Sequence, residues 1–310
     1  MGAPNTMIET YHRLLPHGIT LSCRAAGEPG RPVLMFLHGF PEAAFVWDFH
    51  LAYFARPENG GYRCIAPNLR GFERSSAPPD VSAYRPKHLV QDIAALIALE
   101  TQAQGGQLAA LVAHDWGGAV AWNLANQLPE LAQKLVIINS PHPGTFLREL
   151  QQNPAQQAAS AYMNFLIRPD AEELLAQDDY RRLWEFLTHG KDGFKAPAWL
   201  TDAVKAQYMD IWQAGLRGGC NLYRASPLRP ASAQDPAAAA VSIPMELLTI
   251  TLPALVIWAM DDIALPPGLI DGLDIYVKQL TLHTVPNTSH WIVHEQPQRI
   301  ADLIDSFLRQ

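Results

Sequence analysis

Asp115 is the first residue in this chain that asks for a chemical explanation. It stands in AHDWGG (113–118), between the apolar run LAALV (108–112) and AVAWNLANQL, whose apolar residues recur at helical spacing. A strand, a sharp turn of small residues and a helix are therefore expected, the setting in which a serine nucleophile is presented as G-x-S-x-G. Here Ala113 and Gly117 are the small residues, and the centre holds a carboxylate. A helix N-cap would explain an aspartate at this point. An exposed turn flanked by small residues suits a nucleophile better. Nearby backbone N–H groups and the helix N-terminus would also keep the carboxylate ionised.

The chemistry open to a carboxylate differs from that of a serine. A serine must lose its proton to a base before it attacks a carbonyl. A carboxylate, with a reference pKa of about 3.9, needs no activation and can attack a saturated carbon, forming an alkyl ester with the protein. A histidine is then needed only afterwards, as the base for a water that attacks the ester. The chain supplies aspartates in AMDDIAL (259–265) and His290 in TSHWIVHEQP (288–297). Adjacent aspartates are usually a solvated turn, and a lone histidine is usually structural. The order nucleophile, acid, histidine, each just past an expected strand, is much more specific. LHGFPE (37–42) follows another strand and is placed to complete an oxyanion hole, with the amides of Phe40 and Trp116 as expected donors.

These groups need a scaffold. VLMFL (33–37), YRCIAPN (62–68), LAALVA (108–113) and LVIINS (135–140) read as buried strands, and ITLSCRAAG (19–27) as an earlier one. Amphipathic stretches such as HLVQDIAALIALE (88–100) lie between them. Continuous apolar strands alternating with helices predict a mostly parallel sheet covered on both faces. After NSPHPG (139–144) about a hundred residues look helical, and RPASAQDPAAAA (229–240) reads as a loop returning to the core. LPALVIWAM (252–260) and LTLHTVPN (280–287) are expected strands, and IADLIDSFL (300–308) a closing helix. The expected division is an α/β core of 1–140 plus 246–310, interrupted by a helical cap of 141–245.

Composition limits the alternatives. The 310 residues are 48% hydrophobic and 17% charged, with a net charge of −7 and no basic run, which argues against a nucleic-acid surface. Cys23, Cys64 and Cys220 are odd in number and widely spaced, so neither a disulfide framework nor a cysteine metal site is expected. The longest apolar run, 252–260, is about half a membrane span. MGAPNT fits a loose myristoylation pattern but has no basic residues beside it, and NTS (287–289) is a sequon without a secretory signal. A cytoplasmic location with no membrane partner is the expectation.

Taken together, HGFPE (38–42), RGFERSSAPP (70–79), HDWGG (114–118) and SHW (289–291) make the chain resemble the α/β-hydrolase superfamily, and within it the microbial and soluble epoxide hydrolases. The resemblance selects Asp262 over Asp261 as the triad acid. It also places two cap tyrosines: Tyr162 in AYMNFLIRP (161–169), and Tyr223 in CNLYRASP (220–227), where Leu222 replaces the usual tryptophan. It implies an α/β-hydrolase fold with an inserted helical cap, and hydrolysis of a small-molecule epoxide by water to a vicinal diol. Asp115, Asp262, His290, Tyr162 and Tyr223 are the implied catalytic residues. His38, Pro41, Trp116, Phe165 and Trp291 are pocket candidates. No metal or organic cofactor is implied, and a monomer or homodimer is expected. Tyr180 is expected to be a bystander, and Arg70 and Arg74 to support their loop. Haloalkane dehalogenases share the aspartate and Trp116, but place a second halide donor where this chain has Phe40. A ligand-binding or partner-binding homologue without turnover is the remaining alternative.

Overall fold

The computed structural model describes residues 7–102, 105–188, 197–233 and 235–310; MGAPNT lies outside them. Eight strands form one sheet: β1 (Glu9–Leu14), β2 (Thr20–Ala26), β3 (Val33–Leu37), β4 (Arg63–Pro67), β5 (Ala110–His114), β6 (Leu135–Ile138), β7 (Ile250–Ala259) and β8 (Val277–Val285). Their spatial order is β1-β2-β4-β3-β5-β6-β7-β8. β2 runs antiparallel to both β1 and β4, and every other pairing is parallel. This is the fold class expected from the alternation of apolar runs and helices.

The central strands explain why that alternation is so clear. Every residue of β3 (VLMFL), β5 (ALVAH) and β6 (LVII) is buried, so neither face reaches water. Two helical layers provide the cover. α1 (Asp48–Phe54) packs on β4 and on the C-terminal α11 (Pro297–Leu308), while α2 (Pro86–Glu100) packs on α3 (Trp116–Gln127), which lies over β5, β6 and β7. The sequence reading omitted β1. ETYHRL is an edge strand with four exposed residues, so it lacks the apolar pattern of a buried strand and is held by pairing with β2. β8 also begins three residues earlier than expected.

Between β6 and β7 the described residues form the helices α4 (Pro143–Gln152), α5 (Pro154–Ala159), α6 (Tyr162–Leu166), α7 (Ala171–Thr188), α8 (Asp202–Ala214) and α9 (Arg217–Ala225). Side chains of His142, Asn153 and Thr201 cap α4, α5 and α8 by accepting backbone N–H bonds. α7 is interrupted at Asp178, Asp179 and Tyr180, all left-handed at φ 50°, 52° and 62°. The stretch expected as a returning loop contains a short 3-10 turn, Pro236–Ala240. Residue 234, within that stretch, lies outside the described residues. α10 (Ile292–Glu295) then leads into α11.

Candidate active site

Asp115 sits at the junction of β5 and α3 in a conformation that only a crowded, well-determined turn sustains, φ 50° and ψ −123°. Its side chain makes no capping bond to α3, so the N-cap explanation does not account for it. The carboxylate instead turns toward the loop after β3, where Oδ1 accepts the Phe40 N–H at 2.8 Å. That approach requires small neighbours. A Cβ on Gly39 would run into the Asp115 carboxylate, and one on Gly117 would come within 2.5 Å of the Leu37 carbonyl oxygen. The Ser140 hydroxyl adds a bond to the Asp115 backbone carbonyl at 2.7 Å.

The other two triad candidates converge on the same point from the ends of β7 and β8. His290 Nδ1 lies 2.6 Å from Asp262 Oδ2, and its Nε2 lies 3.7 Å from Asp115 Oδ2. Asp262 is itself held by Asn139 Nδ2 at 2.8 Å and by the amides of Ala264 and Leu265 at 2.9 Å each. Burial alone would raise the Asp262 pKa, but His290 and these donors outweigh it and keep the carboxyl below its ordinary value. Burial likewise disfavours a charged His290. The adjoining Asp262 carboxylate and its hydrogen bond, with Asp115 and Glu42 farther off, nevertheless raise it to about 9.

Tyr162 and Tyr223 approach from α6 and α9, with ring centroids 6.0 Å apart and planes nearly perpendicular. Tyr223 also packs edge-on against Trp116 and Phe40. Burial, reinforced by the Asp115 charge, holds both phenols above their ordinary pKa, so both remain hydrogen-bond donors at neutral pH. Asp115, Trp116, Tyr162 and Tyr223 all line one cavity of about 220 Å³.

Trp116 lines the cavity, but His38, Pro41, Phe165 and Trp291 do not. His38 is fully buried and braces its own loop, Nε2 accepting the Leu69 N–H and Nδ1 facing the Gly39 carbonyl. Pro41 offers its carbonyl to the Trp212 indole N–H, Phe165 packs beneath Arg182, and Trp291 lies between His290 and Phe186. The Phe40 amide bonds the Asp115 carboxylate; no such bond comes from the Trp116 amide. Arg70 forms a two-pronged buried pair with Asp92, both bonds 2.6 Å, and so fixes its loop, while Arg74 is largely exposed. Tyr180 packs on Trp212, away from the cavity.

Two features escaped the sequence reading. Asn139, at the end of β6 with φ 38°, ties Asp262 to β7 by also accepting the Ala259 N–H. Glu42 is buried, bonded to Tyr208 (2.7 Å) and His294 (2.9 Å) and 3.4 Å from His114. His114 Nε2 in turn lies 3.0 Å from the His290 carbonyl. These histidine contacts hold Glu42 well below its ordinary pKa, although burial opposes the charge. Both Glu42 and His114 stand inside quoted motifs. Their partners are 72 or more positions away, so no local signal marked them.

Among the described residues no group of three or more His, Cys, Asp or Glu is arranged to hold a metal ion, and no helix is long and apolar enough to cross a membrane.

Residues 32–297 match the family model described as the alpha/beta hydrolase fold. The chain is 30% identical to Epoxide hydrolase 4 of Mus musculus, an alignment covering 99% of this chain and 81% of that protein. It is 34% identical to the AB hydrolase superfamily protein YfhM of Bacillus subtilis (strain 168), covering 94% and 96%. Among solved structures, the Bacillus megaterium epoxide hydrolase with a bound inhibitor superposes with a TM-score of 0.84 at 28% identity, covering 97% of this chain and all of that one. A structure from work on epoxide hydrolases in metagenomes from hot environments gives 0.82 at 34% identity, covering 97% and 99%.

Proposed function

The chain belongs to the alpha/beta hydrolase fold family, and from that premise we propose that it is an epoxide hydrolase working through a covalent ester on Asp115. The observation that carries the reading is the pair of tyrosines sharing one cavity with an aspartate at the nucleophile position. A carboxylate nucleophile alone serves other leaving groups equally well. Opening an epoxide creates an alkoxide, which is a poor leaving group unless a proton donor meets it. The two phenols are that donor. The helical segment 141–245 acts as the cap that brings them over Asp115.

In the first step Asp115 Oδ2 attacks an epoxide carbon while Oδ1 stays on the Phe40 N–H. The ring C–O bond breaks with its electron pair on oxygen, and Tyr162 or Tyr223 gives that oxygen a proton. In the second step a water attacks the Asp115 carbonyl carbon, His290 Nε2 takes its proton, and Asp262 stabilises the resulting imidazolium. The Phe40 amide holds the oxyanion. Collapse of the intermediate breaks the ester C–O bond, the hydroxyl proton of the intermediate passes to the departing alkoxide, and diol and carboxylate result; the His290 proton returns through solvent to the tyrosine.

The state of His290 changes between the steps in a useful direction. Beside an ionised Asp115 it is raised to about 9 and carries a proton near neutrality. Once Asp115 is an ester its negative charge is gone, and with it one of the influences that raised His290. The histidine then loses its proton more readily, at the point where a base is needed.

Purified protein assayed on aryl and alkyl epoxides beside short haloalkanes, with diol and halide quantified separately, tests the reading. Diol without halide is the expected result. Halide without diol would assign the site to dehalogenation instead. Absence of both products, together with no mass adduct on Asp115, would point to ligand binding without turnover.

A further inference from the structure

The shape of the cavity carries information about the substrate that the catalytic residues do not. Trp116, Ala119, Asn123, Asn126 and Gln127 of α3 line it, with Asp115 at the junction just before the helix. Spacings of four and three place these residues on one stripe of the helix. The cavity therefore follows α3 from its first turn to its last, about 18 Å at 1.5 Å per residue. A volume of about 220 Å³ lies below the roughly 300–1,000 Å³ usual for a compact ligand. Drawn out along a whole helix, it forms a slot rather than a chamber.

Phe146, Met163, Leu228, Ile243 and Leu247 add apolar wall to the slot, and the Glu246 and Thr249 carbonyls beside Leu247 accept bonds from Asn126 near the end of α3. Asp115 is the sole charged side chain among the described residues that line it. Met245 and Leu247, 51% and 55% exposed, make the outer end an apolar doorstep. Asn126 fixes that turn by donating to the Glu246 and Thr249 carbonyls, both at 2.9 Å.

We propose that the site selects neutral epoxides bearing one unbranched apolar tail, which lies along α3 with the epoxide against Asp115 and the tail tip near Leu247. The epoxide that fills the slot has about ten to twelve carbons in all, ring carbons included, matched to the length of the helix. A carboxylate on a tail that ends inside the slot meets no cation, and burying an unpaired charge is strongly unfavourable. Neutral tails are therefore taken over charged ones. The selectivity rests on the epoxide hydrolase reading above, because it concerns what that reaction accepts.

The test measures kcat/KM for terminal 1,2-epoxyalkanes from four to fourteen carbons, with a ten-carbon epoxide ending in a carboxylate and its methyl ester. The expected result is a rise of up to about fourfold per methylene, a plateau near ten to twelve carbons, and preference for the ester over the acid by tenfold or more. In Asn123→Phe, which plugs the slot midway, the ten-carbon to four-carbon ratio falls at least tenfold. Leu247→Trp narrows the exposed mouth with no demand on the core and lowers the same ratio. Short epoxides turned over with no gain from added length, or an acid used as well as its ester, would overturn this inference and leave the hydrolase reading standing. Failure on every epoxide would remove the hydrolase reading itself, and the inference with it.

Discussion

At the scale of single residues the site is a set of charges kept in defined states by their neighbours. Asp262 is ionised because Asn139, two amides and His290 all favour its charge. Replacing His290 by Gln leaves ester formation possible and removes the base, so one equivalent of epoxide should be consumed and then turnover should stop. Mass spectrometry of the intact chain is expected to find the ester on Asp115. Continued turnover at the wild-type rate would discount His290. Replacing both Tyr162 and Tyr223 by Phe removes the proton donors, and epoxide opening should fall by about 10²–10⁴-fold, the usual range for a positioned acid. The pH dependence follows from His290. Its raised pKa is lowered again in the ester, so single-turnover ester hydrolysis should accelerate as pH rises and level off below about 9. A rate falling with pH across that range would contradict a histidine base.

At the scale of elements, what matters is how closely β3, β5 and α3 meet. Gly117 faces the Leu37 carbonyl at a distance that no Cβ fits. Gly117→Ala must therefore shift α3, at a cost of about 1–3 kcal/mol, and activity should be lost together with a lowered melting temperature. An unchanged melting temperature would show that the turn has slack. The loop after β4 depends on a different device. Arg70 and Asp92 are 4% and 2% exposed, and Asp92→Ala would leave the guanidinium buried without its anion. The loss for such a broken pair is about 3–5 kcal/mol, which urea unfolding can measure; a change under ~1 kcal/mol would mean that the Ala83 and His88 carbonyls suffice. The central strands were legible in sequence because each is apolar throughout, and α2 because its apolar positions recur three and four apart. β1 was not, since its identity as a strand rests on pairing with β2, from Leu14 on Thr20 to Glu9 on Ala25.

Across the whole molecule, burial governs how stability responds to pH. His38, His50 and His142 are held neutral by burial, lowered to about 4, 3 and 4. The unfolded chain takes up protons at these histidines near pH 6.5 and the folded chain does not, so stability is lost as pH falls below that value. His290 acts in the opposite direction. Raised to about 9, it stabilises the fold below pH 6.5, and that contribution disappears as pH climbs through 9. Melting temperatures across pH 5–9 should pass through a maximum near neutrality. A steady rise toward pH 5 would mean that the three histidines are hydrated and free to charge.

The sequence by itself determined the alternation of apolar strands and amphipathic helices, the carboxylate in the turn after β5, and the aspartate pair and histidine just past later strands. Those features are local: each depends on residue types within one element, and hydrophobic periodicity or turn composition reports them directly. Only the tertiary structure decided that Asn139 serves Asp262, that Glu42 joins His114 and His294, and that the cavity runs along α3 instead of toward His38 or Phe165. These relations join residues far apart in the chain, and their energies come from burial and from partner distance. Neither quantity exists until the sheet closes and the helices pack over it.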